Sequence, residues 1–266
     1  MHYVVSDIHG HFDDLVAALR RADLLDADGA WCGGHAHLTF LGDYFDRGPD
    51  GIAVVDLVRR LQDEAATSGG RVDALIGNHE ILALGMRRFG DRQVSSDLGG
   101  SRSFARSWAL NGGRRRDQQR LTSEHIDWIC GLDSVALAGS DLLLHSDTTE
   151  YLRWGDTSGQ INDAVRTVLS GDDLGQWWQC WVRLTSRYAF AGVDGAEVAA
   201  GLLSHLGGSR IVHGHSIITT LTGQVLSEVS GPFSYAGGRV LAIDGGVYGG
   251  GPCLVVPLDA ERDPSL

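Results

Sequence analysis

The chain has 266 residues, 43% of them hydrophobic and 21% charged, which is ordinary for a globular protein with one large core. Thirty-four Asp and Glu against 22 Lys and Arg leave a net charge of −12, which argues against nucleic acid as a partner. No apolar run approaches the roughly 18 residues of a membrane-spanning helix, so no membrane partner is expected either.

The N-terminus enters a strand-like run at once, Tyr3-Val4-Val5, which leads to Ser6-Asp7-Ile8-His9-Gly10. With no leader expected before it, and with Cys32, Cys130, Cys180 and Cys253 scattered without a CxxC pair, a cytoplasmic protein with reduced thiols is expected. Asp7 and His9 are two apart at a strand end and share a face; a carboxylate and an imidazole together suit Mn, Fe or Zn. Alone, such a pair is more often structural. Apolar spacing over Asp13–Arg21 predicts a helix. His35 and His37 precede the next strand, on the wrong edge, and read with His2, His11, His125 and His205 as surface or structural histidines.

The strand Leu38–Leu41 leads to Gly42-Asp43-Tyr44-Phe45-Asp46-Arg47-Gly48. Here two carboxylates sit beside a guanidinium fork suited to phosphate. A helix over Gly51–Leu61 follows, then a strand Ala74–Ile76 leading to Gly77-Asn78-His79-Glu80. That segment supplies a neutral oxygen ligand, an acid–base imidazole and another carboxylate within three residues.

Residues 86–130, rich in Arg, and 151–190, rich in Trp, break this rhythm and read as helical insertions. Either they form a cap whose arginines face a phosphorylated ligand, or they form an ordinary packed layer with a solvated Arg face. Further strands, Leu142–Leu144 and Arg210–Val212, lead to His145 and to His213-Gly214-His215. Glycine-punctuated runs from Val212 to Val256, including Val240–Ile243 and Cys253–Val256, predict antiparallel strands and hairpins. The expected fold is α/β (α+β): one domain, 1–266, a mixed β-sandwich flanked by helices. Five strands deliver Asp, His or Asn to one edge, which core packing does not require.

The ordered motifs Asp7-x-His9, Gly42-Asp43-x-x-Asp46-Arg47-Gly48, Gly77-Asn78-His79-Glu80, His145 and Gly214-His215 resemble those of the calcineurin-like metallophosphoesterases. The Asp-Arg-Gly and Asn-His-Glu forms are similar to the phosphoprotein phosphatase branch, which includes bacterial protein phosphatases and diadenosine tetraphosphate hydrolases. The resemblance implies a four-layer fold and two divalent cations, Mn2+ or alternatively Fe, Zn, Ni or Co. Asp7 and His9 would hold one cation, Asp43 would bridge both, and Asn78, His145 and His215 would complete the second. His79 would be the general acid, oriented by Asp46, with Arg47 and Asn78 gripping phosphate oxygens while a water shared by the cations attacks phosphorus. Trp181-Val182-Arg183 resembles the segment carrying a second phosphate arginine, with Arg187 close behind. Tyr248 either walls the pocket or sits in a hairpin loop that needs positive φ.

Three features depart from the family pattern: Ser6 stands where Gly is usual, Ser146-Asp147 follows His145 in place of Gly or Ala-Gly, and His213 precedes the Gly-His pair. The substrate implied is a phosphomonoester, with phosphoserine or phosphothreonine peptides, small phosphoesters or nucleotides as partners. A dinucleoside polyphosphate hydrolase and a non-catalytic metal-binding scaffold are the alternatives. Oligomeric state is not legible.

Overall fold

The structure, a computed structural model, describes residues 1–94 and 102–258. Its elements run β1 (His2–Val5), α1 (Phe12–Arg21), β2 (His37–Phe40), α2 (Gly51–Thr67), β3 (Arg71–Ala74), α3 (Asn78–Phe89), α4 (Phe104–Leu110), α5 (Arg115–Arg120) and α6 (Ser123–Cys130). The second half follows with β4 (Val135–Ala138), β5 (Asp141–Leu144), α7 (Ser158–Ser170), α8 (Leu174–Thr185), α9 (Gly195–Leu206), β6 (Arg210–His213), α10 (Ile218–Thr222), β7 (Phe233–Tyr235), β8 (Val240–Ala242) and β9 (Val256–Pro257).

Two mixed sheets result, in the orders β3-β2-β1-β9 and β4-β5-β6-β8-β7. Period-two alternation sorts the side chains between two cores. Val4, Leu143, Val212, Leu241 and Val256 meet between the sheets, while Val5, Phe40, Leu142, Leu144 and Ile211 face the flanking helices. Helices, sheet, sheet and helices therefore stack as four layers around a sandwich. The helices are specified locally. α1 carries Asp13 and Asp14 in its first turn and Arg20 and Arg21 in its last, matching its dipole. At the start of α2 the Asp50 carboxylate accepts the Ala53 N–H at 2.9 Å.

The closing third holds one of the expected hairpins, β7–β8, but departs from an all-antiparallel arrangement. β8 lies parallel to β6, with β7 antiparallel on its outer edge, and β9 joins the other sheet antiparallel to β1. The excursion through α10 and β7 brings the chain back in β6's direction, and β8 is buried along its length, as parallel strands are.

The two irregular stretches form a packed layer. Phe89, Phe104, Trp178 and Trp181 make a chain of ring contacts 4.8–5.8 Å apart that joins α3, α4 and α8. Most cap arginines are held by the protein itself: Arg92 lies over Phe89, Arg116 and Arg120 pair with Asp50, and Arg114 bonds the Arg47 carbonyl. Among the described residues, no helix is long and apolar enough to cross a membrane.

Candidate active site

Asp7, His9, Asp43, Asp46, Asn78, His79, His145 and His215 all converge beyond the C-terminal ends of β1, β2, β3, β5 and β6, each at most 6% exposed. The backbone there is unusual. Of the nine non-glycine residues with positive φ among the described residues, six are Asp7, His9, Asp43, Asp46, Arg47 and His215. Such clustering marks sites where the surroundings enforce a costly conformation. Close approach adds a second constraint, because a Cβ on Gly214 would overlap Ser6 Oγ and Asp7 Oδ2, and one on Gly77 would overlap Asp43.

Two groups of ligand atoms lie within 4.8 Å of one another: Asp7, Asp43, His145 and His215, and then His9, Asp43 and His79. Asp43 belongs to both. Asp7 is grouped with His145 and His215, while its Oδ1 also lies 3.9 Å from Nε2 of His9, the partner the sequence motif pairs it with.

Hydrogen bonding supports cation binding. His145 Nδ1 is 2.9 Å from the Leu41 carbonyl, which can only accept, so in the neutral ring Nε2 carries a lone pair. That lone pair faces two more acceptors, Asn78 Oδ1 at 3.0 Å and Asp43 Oδ1 at 3.3 Å. Likewise His9 Nδ1 is 2.9 Å from the Phe45 carbonyl, leaving Nε2 toward Asp43 Oδ2 at 3.5 Å and Asp7 Oδ1 at 3.9 Å. Acceptors converging without protons between them suit a divalent cation, and ring nitrogens tied to carbonyls are how metal-ligating histidines are oriented. Asn78 Nδ2 is fixed by Thr185 Oγ1 at 3.2 Å, and His215 Nε2 lies 3.1 Å from the Thr185 carbonyl.

Electrostatics divide the groups. Burial is the largest influence on Asp43 and would raise it, but His145, His79, His9 and His215 together hold it far below the ordinary carboxylate range. Burial pushes Asp7 up, with Asp43 adding to it. Burial is the main cause that lowers His9 and His215, with Arg47 adding to it for His9 and Arg187 for His215, which favours their neutral rings. His79 goes the other way: burial opposes its charge, but the Asp43 and Asp46 carboxylates outweigh it and raise its pKa. Its Nδ1 is 2.9 Å from Asp46 Oδ2 and its Nε2 is 3.1 Å from Arg47 Nη2.

The phosphate-binding candidates separate clearly. Arg47 stands inside the site with Nη1 3.0 Å from His9 Nε2, its guanidinium 4.1 Å from the Tyr248 ring centre. Tyr248 is 39% exposed and also edges against His9, so it lines the mouth. Arg187 Nη2 is 2.9 Å from His215 Nε2. Arg183 lies elsewhere, over the Trp154 ring at 5.4 Å and 4.0 Å from Glu150. His213 is buried behind the site, bonded to Tyr235 OH at 2.8 Å, and belongs to neither ligand group.

Several supporting residues had no assigned role in the sequence. The fully buried Glu80 carboxylate accepts the N–H groups of Asp43, Tyr44 and Gly77 at 2.8–2.9 Å, bolting the second motif to the third; burial and Asp43 push its pKa up to about 8. Ser6 Oγ donates to Asp7 Oδ2 at 2.5 Å. Asp147 accepts the Tyr188 N–H at 2.9 Å and the Ser216 hydroxyl at 2.6 Å, tying the loop after His145 to those carrying Arg187 and His215. Asp244, buried against Asp7 and therefore raised, accepts the Gly246 N–H. The departures at positions 6 and 147 were the only signals of this bracing.

Comparison with known proteins places these features. The calcineurin-like phosphoesterase family model matches residues 3–218. A stretch of 80 residues is 38% identical to Shewanella-like protein phosphatase 1 of Plasmodium berghei, covering 30% of this chain and 22% of that protein. Another of 71 residues is 37% identical to a symmetrical bis(5'-nucleosyl)-tetraphosphatase of Ralstonia nicotianae, covering 25% and 23%. Such matches span about a fifth of the length of these relatives. In fold, the chain is similar to the cold-active protein-tyrosine phosphatase of a psychrophilic Shewanella species, with TM-score 0.70 and 22% identity over 96% of this chain and 73% of that one. By the family model and the motifs it spans, the chain belongs to the calcineurin-like phosphoesterase family.

Proposed function

We propose that the protein is a metal-dependent phosphomonoesterase that transfers a phosphoryl group directly to water, acting on phosphorylated peptides. The observation that carries this reading is the pair of ligand groups sharing the buried Asp43 and opening onto Arg47, Arg187 and His79. Asp7, Asp43, Asn78, His145 and His215 would hold one divalent cation, and His9 and Asp43 the other. Two such cations supply an ionised water at neutral pH and positive charge against the phosphoryl oxygens.

The protein's own groups account for the remainder. Arg47, beside His9, and Arg187, beside His215, offer planar donors to the equatorial phosphoryl oxygens. Asp46 fixes the His79 ring through Nδ1, so Nε2 is the atom that delivers a proton to the departing alkoxide. His79 falls within one ligand group, but its Nδ1 is engaged by Asp46 at 2.9 Å, and we assign its Nε2 to the leaving group and not to a cation. Tyr248, exposed beside Arg47, offers an apolar wall to the rest of the substrate.

The test is hydrolysis by metal-stripped protein with Mn2+ restored, comparing a phosphoserine peptide with diadenosine tetraphosphate. Metal-dependent release of phosphate from the peptide at the higher kcat/KM supports the reading. Preference for the dinucleotide would replace it with a nucleotide polyphosphatase, and inactivity on both with two cations bound would leave a metal-binding scaffold.

A further inference from the structure

Asp46 and Arg47 are consecutive residues in the left-handed region, at φ 66° and 64°, a conformation that side chains other than glycine rarely adopt unless their surroundings impose it. Part of that restraint comes from a short stretch of the 86–130 insertion. Trp108 Nε1 donates to Asp46 Oδ1 at 2.8 Å. The Arg47 N–H donates to the Gly112 carbonyl at 2.8 Å, and Arg114 Nε donates to the Arg47 carbonyl at 2.9 Å. The residues from 108 to 114 thus grip the Asp-Arg pair by one side chain and two backbone groups.

The Asp46 carboxylate is spanned between two rings. Oδ1 meets the indole of Trp108 at 2.8 Å and, at a longer 3.4 Å, the Arg114 N–H, and Oδ2 meets the imidazole of His79 at 2.9 Å. A carboxylate is planar and rigid, so fixing Oδ1 sets where Oδ2 meets the imidazole. Trp108 is itself immobile. It is 5% exposed, its carbonyl accepts the Gly113 N–H at 2.9 Å, and Gly113 packs so closely that a Cβ there would overlap the indole.

We propose that Trp108 is a positioning residue for proton transfer by His79, acting through Asp46, so that the insertion serves the chemistry as well as the shape of the site. The inference rests on His79 being the proton donor. A bond placed this way matters where the leaving group needs a proton and little where it does not. Removing the indole N–H leaves only the longer Arg114 N–H contact on Oδ1, which loosens the carboxylate and lets the imidazole drift from the leaving oxygen.

Trp108→Phe tests it with two esters, a phosphoserine peptide and 4-nitrophenyl phosphate, on the metal-loaded enzyme beside His79→Ala. The expected result is a fall in kcat of about tenfold or more for the peptide and under about threefold for the aryl ester, in the same sense as His79→Ala. If His79→Ala slows the peptide selectively and Trp108→Phe does not, the role of Trp108 is refuted while the proton donor stands. If His79→Ala slows both esters alike, the donor assignment fails and this inference with it. Should phenylalanine perturb folding, benzothienylalanine at position 108 replaces only the N–H by sulfur and makes the same comparison. A readout independent of turnover is the indole N–H resonance of Trp108, identified by its loss in Trp108→Phe. In Asp46→Ala it should move and exchange with solvent at least about tenfold faster; an unchanged resonance would overturn the contact.

Discussion

Arg187 Nη2 lies 2.9 Å from His215 Nε2, whereas Arg183, four residues earlier, points to Trp154 and Glu150. The difference follows from where α8 ends. Arg183 is inside the helix, against Trp154 and Glu150, while Arg187 lies two residues past its last residue, Thr185, on the segment that Asp147 holds through the Tyr188 N–H. Loss of one charge-assisted contact to a phosphoryl oxygen costs about 1.5–3 kcal/mol. Arg187→Ala should therefore lower kcat/KM about 10- to 100-fold, and Arg183→Ala less than about threefold. Steady-state kinetics on a phosphomonoester decide it, and the reverse order would return the role to Arg183.

Asp43 belongs to both ligand groups. Asp43→Asn should weaken both cations by at least about tenfold, since even partners outside the ligand shell cost 10–100-fold when removed. Asp7→Asn should weaken the one it shares with His145 and His215. Metal analysis after equilibrium dialysis separates the two patterns, and full occupancy in Asp43→Asn would remove its bridging role.

Asp147 is fully buried and accepts from Tyr188 and Ser216. Asp147→Ala leaves a buried N–H and a hydroxyl unpaired, at a cost of about 1–3 kcal/mol for each. It should lower the melting temperature and raise KM in the direction of Arg187→Ala. Asp147→Asn should retain both properties, because an amide oxygen can accept the Tyr188 N–H while its NH2 donates to Ser216 Oγ. Kinetics and melting curves of the two variants check this.

Asp117, at the start of α5, is buried beside Asp46, and its pKa rises from 3.8 to about 6, burial being the main cause. A carboxyl raised in the folded state contributes stability that is fully present below pH 3.8 and lost as pH climbs through 6. The shift corresponds to up to roughly 3 kcal/mol lost by pH 8. Asp117→Asn keeps an acceptor for the Gly51 N–H and should be relatively more stable at pH 8 than at pH 4. Urea unfolding of both proteins at the two pH values, with metal chelated, measures it; parallel pH dependence would refute the shift.

The strand-end motifs were legible because each is local: an apolar run, then Asp7, Asp43, Asn78, His145 or His215 in the loop beyond it. Their convergence needed only parallel strands sharing an edge. What the sequence did not carry was long-range bracing. Trp108 reaches Asp46 across 62 residues from a helix whose pattern shows nothing but packing. The choice between Arg183 and Arg187 turned on a helix end and on Asp147, neither visible in spacing. β8 does form a hairpin with β7, but its parallel pairing with β6 was not legible, because a short β-rich run does not reveal its second neighbour.

The sandwich gives the two ligand groups different histories. His9, Asp43 and His79 all follow strands of the first sheet, so that group is complete within one half of the fold. Asp7 and Asp43 come from that sheet, but His145 and His215 come from the second, with the His215 N–H donating directly to Asp7 Oδ2 at 2.7 Å. A cation in that group would rivet the two halves, adding to the apolar contacts and to polar ties such as His145 Nδ1 to the Leu41 carbonyl, and would close a loop of some two hundred residues. Its affinity is therefore part of the free energy of docking the sheets, and chelation should loosen the seam between them before either sheet melts.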